Sequence, residues 1–118
     1  MIHQKAKVKA KYFPTHKAGV MNGTEKAYAL RLAMLQSLGE VIEYHFEAMT
    51  LKLAQDTRYT PDFYVINSNG EIEFHEVKGH LRDDALVKIK VAAEMFPFIF
   101  RMFLYKSKQF VEKDFTVR

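Results

Sequence analysis

Residues 59–79, YTPDFYVINSNGEIEFHEVKG, constrain the fold of this chain more than any other segment. Apolar and polar side chains alternate on both sides of an Asn-Gly pair, which is the pattern of a β-hairpin. Side chains two residues apart share a face of a strand. One face of the second strand therefore carries Ile72, Phe74, Glu76 and Lys78. The two charged residues continue an apolar row, whereas His75 faces the other way and is expected to be structural or on the surface.

The length of the turn decides whether Asp62, in the first strand, meets Glu76. A two-residue Asn-Gly turn would pair residue 62 with residue 77 and direct Asp62 to the opposite face. A three-residue loop ending at Gly70 pairs residue 67 with 71, and therefore 62 with 76. This loop type commonly ends with glycine in the left-handed region. We therefore predict the three-residue loop, which brings Asp62, Glu76 and Lys78 together on one face at one end of the sheet.

Two neighbouring carboxylates repel each other, and burial increases the penalty unless a cation neutralises them. Oxygen ligands, in a chain with no cysteine and no paired histidines here, indicate Mg²⁺ or Mn²⁺ rather than zinc. A neighbouring lysine can orient or deprotonate a water, or stabilise charge that builds on a phosphate. The three residues together predict metal-assisted hydrolysis of a phosphodiester. Taken singly, Asp62 would be a turn carboxylate, and Glu76 and Lys78 a surface ion pair.

The composition is that of a single globular domain over residues 1–118, with 48% hydrophobic and 27% charged residues. The absence of cysteine excludes a disulfide framework and fits a reducing cytoplasm. The N-terminal residues lack the apolar core of a signal peptide. The longest apolar run, MFPFIF, is too short to span a bilayer and contains Pro97. We therefore expect a cytoplasmic protein without a membrane partner.

The N-terminal residues 1–19 are the most basic part of a chain whose net charge is +4. The stretch KAKVKAKYFPTHK contains five lysines and no acidic residue. One interpretation of this stretch is a solvated arm. The other is an arm or edge strand that binds phosphates, and the composition does not decide between the two.

The first helix is predicted from its start and stop signals. Thr24 is the expected N-cap, EKAYALRLAMLQSL the helix, and Gly39 its end. Apolar residues at helical spacing predict a buried stripe of Tyr28, Leu32, Leu35 and Leu38. EVIEYHFE and MTLKLAQ then follow as two short strands, which we expect to pair with each other.

A second helix is predicted after the hairpin, from Asp83 or Asp84 to about Met95, where Pro97 stops it. FIFRMFLYK reads as a buried strand, and FVEKDFTVR as a further strand or a helical turn. The order of elements predicts an α/β fold, with a helix on each side of one central sheet.

The segments PD at residues 61–62 and EVK at residues 76–78, one hairpin apart, resemble the PD-(D/E)xK nuclease superfamily. That superfamily includes restriction endonucleases, Holliday junction resolvases, VRR-NUC nucleases and TnsA-type transposase subunits. The TPDF sequence, the glycine after the lysine and the order of elements extend the resemblance over residues 20–105. It implies a restriction-endonuclease-like core with a mixed sheet, in which Asp62 and Glu76 bind the metal and Lys78 positions or activates water.

The same resemblance implies further site residues. Many members add a glutamate from the preceding helix, and Glu25 is the match here. Candidate nucleic-acid contacts are Lys7, Lys9, Lys11, His16, Lys17, His80 and Lys88. Each of these also has an ordinary explanation as a loop residue or a solvent-facing side chain.

The resemblance implies a DNA endonuclease that requires Mg²⁺ or Mn²⁺, acts in a bacterial or phage-infected cell, and resembles branched-DNA resolvases. Symmetric cutting of two strands would imply a homodimer. Two alternatives remain open: a non-catalytic nucleic-acid-binding module with the nuclease fold, and the cutting subunit of a transposition or repair complex. Degenerate members usually lose the lysine or a carboxylate, and all three residues are present here.

Overall fold

The computed structural model describes residues 20–80 and 83–117. In chain order its elements are α1 (Gly23–Ser37), β1 (Val41–Phe46), β2 (Leu51–Ala54), β3 (Thr57–Tyr59), β4 (Phe63–Asn67), β5 (Ile72–Lys78), α2 (Asp83–Met95), β6 (Ile99–Lys106) and β7 (Gln109–Asp114). The predicted basic arm, residues 1–19, lies outside the described residues.

Five of these strands form one mixed sheet in the order β1-β4-β5-β6-β7. β5 and β6 are parallel and are joined through α2, whereas the other neighbours in this sheet are antiparallel. The predicted α/β class with a mixed sheet is confirmed. The tail also forms a strand, β7, so the sheet extends beyond residue 105.

The predicted pairing of the first two strands is wrong. β1 pairs with β4, and β2 pairs with β3 in a separate two-stranded sheet. The reason lies in the two cores: Val41 of β1 packs with α1, whereas Leu51 and Leu53 of β2 pack with α2. β1 therefore packs on the α1 side, whereas β2 packs with α2 on the other side, and the two strands are not neighbours.

A helix covers each side of the central sheet, as predicted. On one side Tyr28 and Leu32 of α1 pack against sheet residues that include Phe63 and Val77. On the other side α2 and the β2–β3 hairpin pack against Phe74 and its neighbours. No helix in the described part of the chain is long and apolar enough to cross a membrane.

The N-cap of α1 is Asn22, so the prediction of Thr24 is wrong. Oδ1 of Asn22 accepts the backbone N–H of Glu25 at 2.8 Å, and Oε1 of Glu25 accepts the N–H of Asn22 at 2.9 Å. This reciprocal capping box needs a side-chain acceptor, from Glu or Gln, three residues after the cap. Asn22 has Glu25 at that position, whereas Thr24 would have Ala27, which has no acceptor.

The end of α1 agrees with the sequence, but its apolar stripe is shorter than predicted. Gly39 has a φ of +81° directly after the helix, as expected of a C-terminal glycine. Tyr28 and Leu32 are buried and Leu35 is partly buried. Leu38 is 64% exposed, because it lies beyond Ser37, where the helix has ended. α2 ends at Met95, as predicted, and its Ile89 and Ala93 are buried.

The predicted three-residue loop of the hairpin is confirmed. β4 and β5 pair Ile66 with Ile72 and Phe63 with His75, so the register sets residue 62 against residue 76. Gly70 has a φ of +79°, and its N–H donates to the carbonyl of Asn67 at 2.9 Å. The Asn67 side chain also accepts backbone N–H groups within the loop. The odd-length loop therefore fixes the face on which Asp62 lies.

Candidate active site

Asp62 is held between the two strands that flank β4. Its backbone carbonyl accepts the N–H of Glu47 at 2.8 Å, and its Oδ2 accepts the N–H of Val77 at 2.8 Å. The side chain is buried, with 7% of the residue exposed. A carboxylate in this position satisfies one oxygen through the backbone of β5 and retains acceptor capacity for another partner.

Glu76 is also buried, and both of its oxygens have partners. The Tyr59 hydroxyl donates to Oε1 at 2.8 Å, and Nζ of Lys78 lies 2.9 Å from Oε2. Lys78 is only half-buried, because it is the last residue of β5. The structure therefore brings together the three residues that the hairpin predicted. The contact with Tyr59 was not predicted, because the position of β3 relative to β5 is set by tertiary packing.

The two carboxylates influence each other strongly. Burial, together with the negative charge of Glu76, raises the pKa of Asp62 to about 8, although the Val77 N–H and Lys78 act in the opposite direction. Burial alone would lower the pKa of Lys78, but the charges of Glu76 and Asp62 raise it above its usual value. Lys78 is thus a cation at neutral pH, and the carboxylates form a site that favours additional positive charge.

A cavity of about 300 Å³ opens at this end of the sheet. Its lining includes Lys78 at the end of β5 with Gly79 and His80 after it, Asn22, Thr24 and Glu25 at the start of α1, and Asp84 and Ala85 at the start of α2. Both helices therefore begin beside the same cavity. The unpaired N–H groups and the macrodipole of a helix N-terminus favour a negatively charged group there.

Glu25 lines the same cavity as Lys78, and its charge acts on both Asp62 and Lys78. One of its oxygens, Oε1, accepts the N–H of Asn22 in the capping box. The carboxylate therefore has a structural role at the start of α1. Its proposed role as a metal ligand stays a prediction.

Of the predicted nucleic-acid contacts, two lie in the described part of the chain, and one of these lines the cavity. His80 is exposed and lines the cavity. Lys88 is half-buried on α2 and does not line this cavity. The other five predicted contacts, Lys7, Lys9, Lys11, His16 and Lys17, lie outside the described residues.

The chemistry of the donors fits a hard divalent cation. Across residues 20–80 and 84–117, no three His, Cys, Asp or Glu side chains come together as a complete metal site. Mg²⁺, however, usually keeps several waters and is bound by one or two carboxylates together with phosphate oxygens of the substrate. Asp62 and Glu76 supply such a pair, and the raised pKa of Asp62, caused by burial and by Glu76, reflects the repulsion that a cation would relieve.

A second buried polar cluster lies on the opposite face of the sheet. Nε2 of His75 is 2.7 Å from Oε1 of Glu73, and Nδ1 is 2.7 Å from the Tyr28 hydroxyl. Arg101 and Asn67 also contact Glu73. His75 therefore faces away from the candidate site, as predicted, and it is buried. Its partners in this cluster were not predicted, because Tyr28 and Arg101 lie far from it in the sequence.

The chain was compared with models of protein families, with curated proteins and with solved structures, and none of the three comparisons found a match.

Proposed function

We propose that this protein is an endonuclease that hydrolyses phosphodiester bonds in DNA and requires Mg²⁺ or Mn²⁺. The observation that carries the proposal is the cluster of two buried carboxylates, Asp62 and Glu76, with the half-buried Lys78. A mutually repelling pair of buried carboxylates costs stability. It is best explained by a function that uses it, and Lys78, which lines the adjoining cavity beside the two helix N-termini, can contact a phosphate there. The PD…EVK pattern and the mixed sheet further support a restriction-endonuclease-like core.

Hydrolysis adds the oxygen of a water to phosphorus, breaks one P–O ester bond and leaves a terminal phosphate and a free hydroxyl. Asp62 and Glu76 would hold the cation, with Glu25 as a further candidate ligand. When bound, the cation would lower the pKa of water and neutralise charge on the phosphate. Lys78, held as a cation, is suited to orient the water and to stabilise negative charge on the phosphate oxygens.

DNA would be bound through its backbone by the cavity and by the basic arm. His80 lines the cavity, and the lysines of residues 5–17 supply positive charge. We propose branched DNA as the first substrate to test, by analogy with resolvases, together with a homodimer that cuts two strands symmetrically. The absence of cysteine fits action in the cytoplasm.

The test is a cleavage assay on four-way junction, linear duplex, supercoiled and single-stranded DNA, with Mg²⁺, Mn²⁺ or EDTA. Glu76→Gln and Lys78→Met should each slow cleavage by about 100-fold or more, because each removes charge from the reacting centre. Glu71→Gln and Lys52→Met change the same residue types at exposed positions and should leave the rate unchanged. Thermal unfolding of each variant would verify that it folds.

A wild-type protein that cleaves none of these DNAs with either cation would contradict the proposal. Cleavage that persists in EDTA, or in both site variants, would do the same. Metal-independent binding to DNA without cleavage would instead support the non-catalytic binding module. Cleavage only after addition of partner proteins would support the subunit of a larger complex.

A further inference from the structure

We propose that Tyr59 is a positioning residue for Glu76, which fixes one oxygen of this carboxylate so that the other is available to a divalent cation. The inference rests on the proposed metal-dependent function and deepens it. Tyr59 belongs to neither the PD nor the EVK segment, and it lies on β3, outside the central sheet.

The contact itself is short and buried. The Tyr59 hydroxyl donates to Oε1 of Glu76 at 2.8 Å, and Tyr59 is 4% exposed while Glu76 is also 4% exposed. A hydrogen bond from a neutral donor to a charged acceptor is stronger than one between neutral groups. Loss of the donor would leave a buried carboxylate oxygen without its partner, which is costly.

The two partners of Glu76 differ in how tightly they are packed. The ring of Tyr59 is packed in the hydrophobic cluster that includes Leu51 and Phe74, so its hydroxyl has little freedom. Lys78 is a long side chain at the end of β5, is 28% exposed and lines the cavity. Lys78 can therefore release Oε2 and move into the cavity, whereas Tyr59 stays bonded to Oε1.

The β2–β3 hairpin supports this role. Thr50 and Thr60 flank the hairpin, and their hydroxyl oxygens are 2.7 Å apart. Tyr59 precedes Thr60 and lies three residues before Asp62, so one short segment carries both a partner of Glu76 and the opposing carboxylate. This arrangement gives a reason for a two-stranded sheet that is separate from the central one. It holds a tyrosine hydroxyl against the candidate ligand.

The test is the affinity for Mn²⁺ alone, measured by electron paramagnetic resonance of the free ion, in wild type, Tyr59→Phe and Tyr28→Phe. Partners that orient a metal ligand typically contribute 10- to 100-fold to affinity. Tyr59→Phe should therefore raise the dissociation constant about tenfold or more. Tyr28→Phe is the matched control, because it removes a buried, hydrogen-bonded hydroxyl on the opposite face of the sheet. It should bind Mn²⁺ like wild type.

A second readout is independent of the variant. In wild-type protein labelled with ¹³C at the tyrosine Cζ, Mg²⁺ should shift the Tyr59 resonance and leave that of Tyr28 unchanged. A cation bound to Glu76 would alter the charge on the carboxylate that accepts the Tyr59 hydrogen bond. Equal Mn²⁺ affinity in Tyr59→Phe and wild type would overturn the inference. If the variant does not fold, a Tyr59 resonance that Mg²⁺ leaves unmoved would overturn it. A wild-type protein that binds no Mn²⁺ would instead overturn the proposed function itself.

Discussion

The backbone N–H of Val77 donates a 2.8 Å hydrogen bond to Oδ2 of Asp62, while the Val77 side chain packs on the other face of the sheet. One strand thus serves two purposes at this point. The backbone of β5 orients Asp62. The side chains on either side of Val77, Glu76 and Lys78, lie on the same face of the sheet as Asp62. A shift of one residue in the hairpin would exchange these faces and separate the carboxylates.

We expect Asp62→Asn to stabilise the protein, and to do so more at pH 8 than at pH 5. Burial and Glu76 raise the pKa of folded Asp62 to about 8, above the ordinary value of 3.8. The folded state therefore binds more protons than the unfolded chain between these pH values. Asp62 makes its full contribution to the free energy of unfolding below pH 3.8, and this contribution is lost as the pH rises through 8. Asparagine removes that cost and can still accept the Val77 N–H. The gain at pH 8 should be about 1 to 3 kcal/mol.

Urea unfolding at the two pH values measures this effect, with Asp56→Asn as the control. Asp56 is exposed in the β2–β3 turn, and any effect of its replacement should be the same at pH 5 and pH 8. At pH 8, 10 mM Mg²⁺ should stabilise wild type but not Asp62→Asn. An Asp62→Asn variant that is less stable than wild type at both pH values would contradict the prediction.

Gly70→Ala should destabilise the hairpin by about 1 kcal/mol, because a β-carbon at a φ of +79° is strained. Gly70→Asn should cost less, since asparagine tolerates the left-handed region. Gly23→Ala is the control, because it lies in the first turn of α1 and an added β-carbon would meet nothing within 4 Å. Equal losses for Gly70→Ala and Gly23→Ala in denaturant unfolding would be inconsistent with strain at the loop.

His75 should remain neutral below its ordinary pKa of 6.5, because burial lowers its pKa despite the nearby Glu73. The Tyr28 hydroxyl, whose pKa is raised by burial, stays protonated and donates to Nδ1 of His75. The Nε2 tautomer can then donate to Glu73. The folded state binds fewer protons than the unfolded chain, so stability is lost as the pH falls below 6.5.

Nitrogen NMR of histidine-labelled protein tests this directly. We expect the His75 resonances of the Nε2–H tautomer to persist at pH 6. His75→Ala should cost about 2 to 4 kcal/mol, because it leaves a cavity and removes the His75 partner of the buried Tyr28 hydroxyl, whereas Glu73 keeps Arg101 and Asn67. His45→Ala should change stability little, since His45 is exposed. A charged His75 at pH 6 in the folded protein would contradict the prediction.

Replacement of Lys7, Lys9 and Lys11 by glutamine should reduce the salt dependence of DNA binding. Each lost phosphate contact lowers the slope of log affinity against log salt by about 0.9. We therefore expect the magnitude of this slope to decrease by about 1 to 3. The slope is measured by fluorescence anisotropy at several salt concentrations. The control replaces Lys52, Lys90 and Lys106, which are exposed elsewhere and change the net charge equally. Equal decreases in both variants would indicate a general charge effect instead of a binding arm.

Several features of the fold follow from short-range sequence signals. The hairpin loop was predictable, because a three-residue loop commonly ends with glycine in the left-handed region, and Gly70 has that conformation. The end of α1 at Gly39 and the end of α2 before Pro97 were also predictable. The N-cap was not, since both Asn22 and Thr24 are good capping residues, and only the contact with Glu25 distinguishes them.

The sequence by itself determined that Asp62, Glu76 and Lys78 lie on one face at one end of the sheet, because hairpin geometry depends on neighbouring residues alone. Only the tertiary structure decided that β1 pairs with β4, that Tyr59 donates to Glu76, and that Glu73, His75 and Tyr28 form a buried network. The alternation of side chains along a strand indicates which of them share a face. It does not indicate which other strand will be the neighbour, because the alternation is the same beside any strand. Which partner each strand meets is set by the packing of the two helices on opposite sides of the sheet.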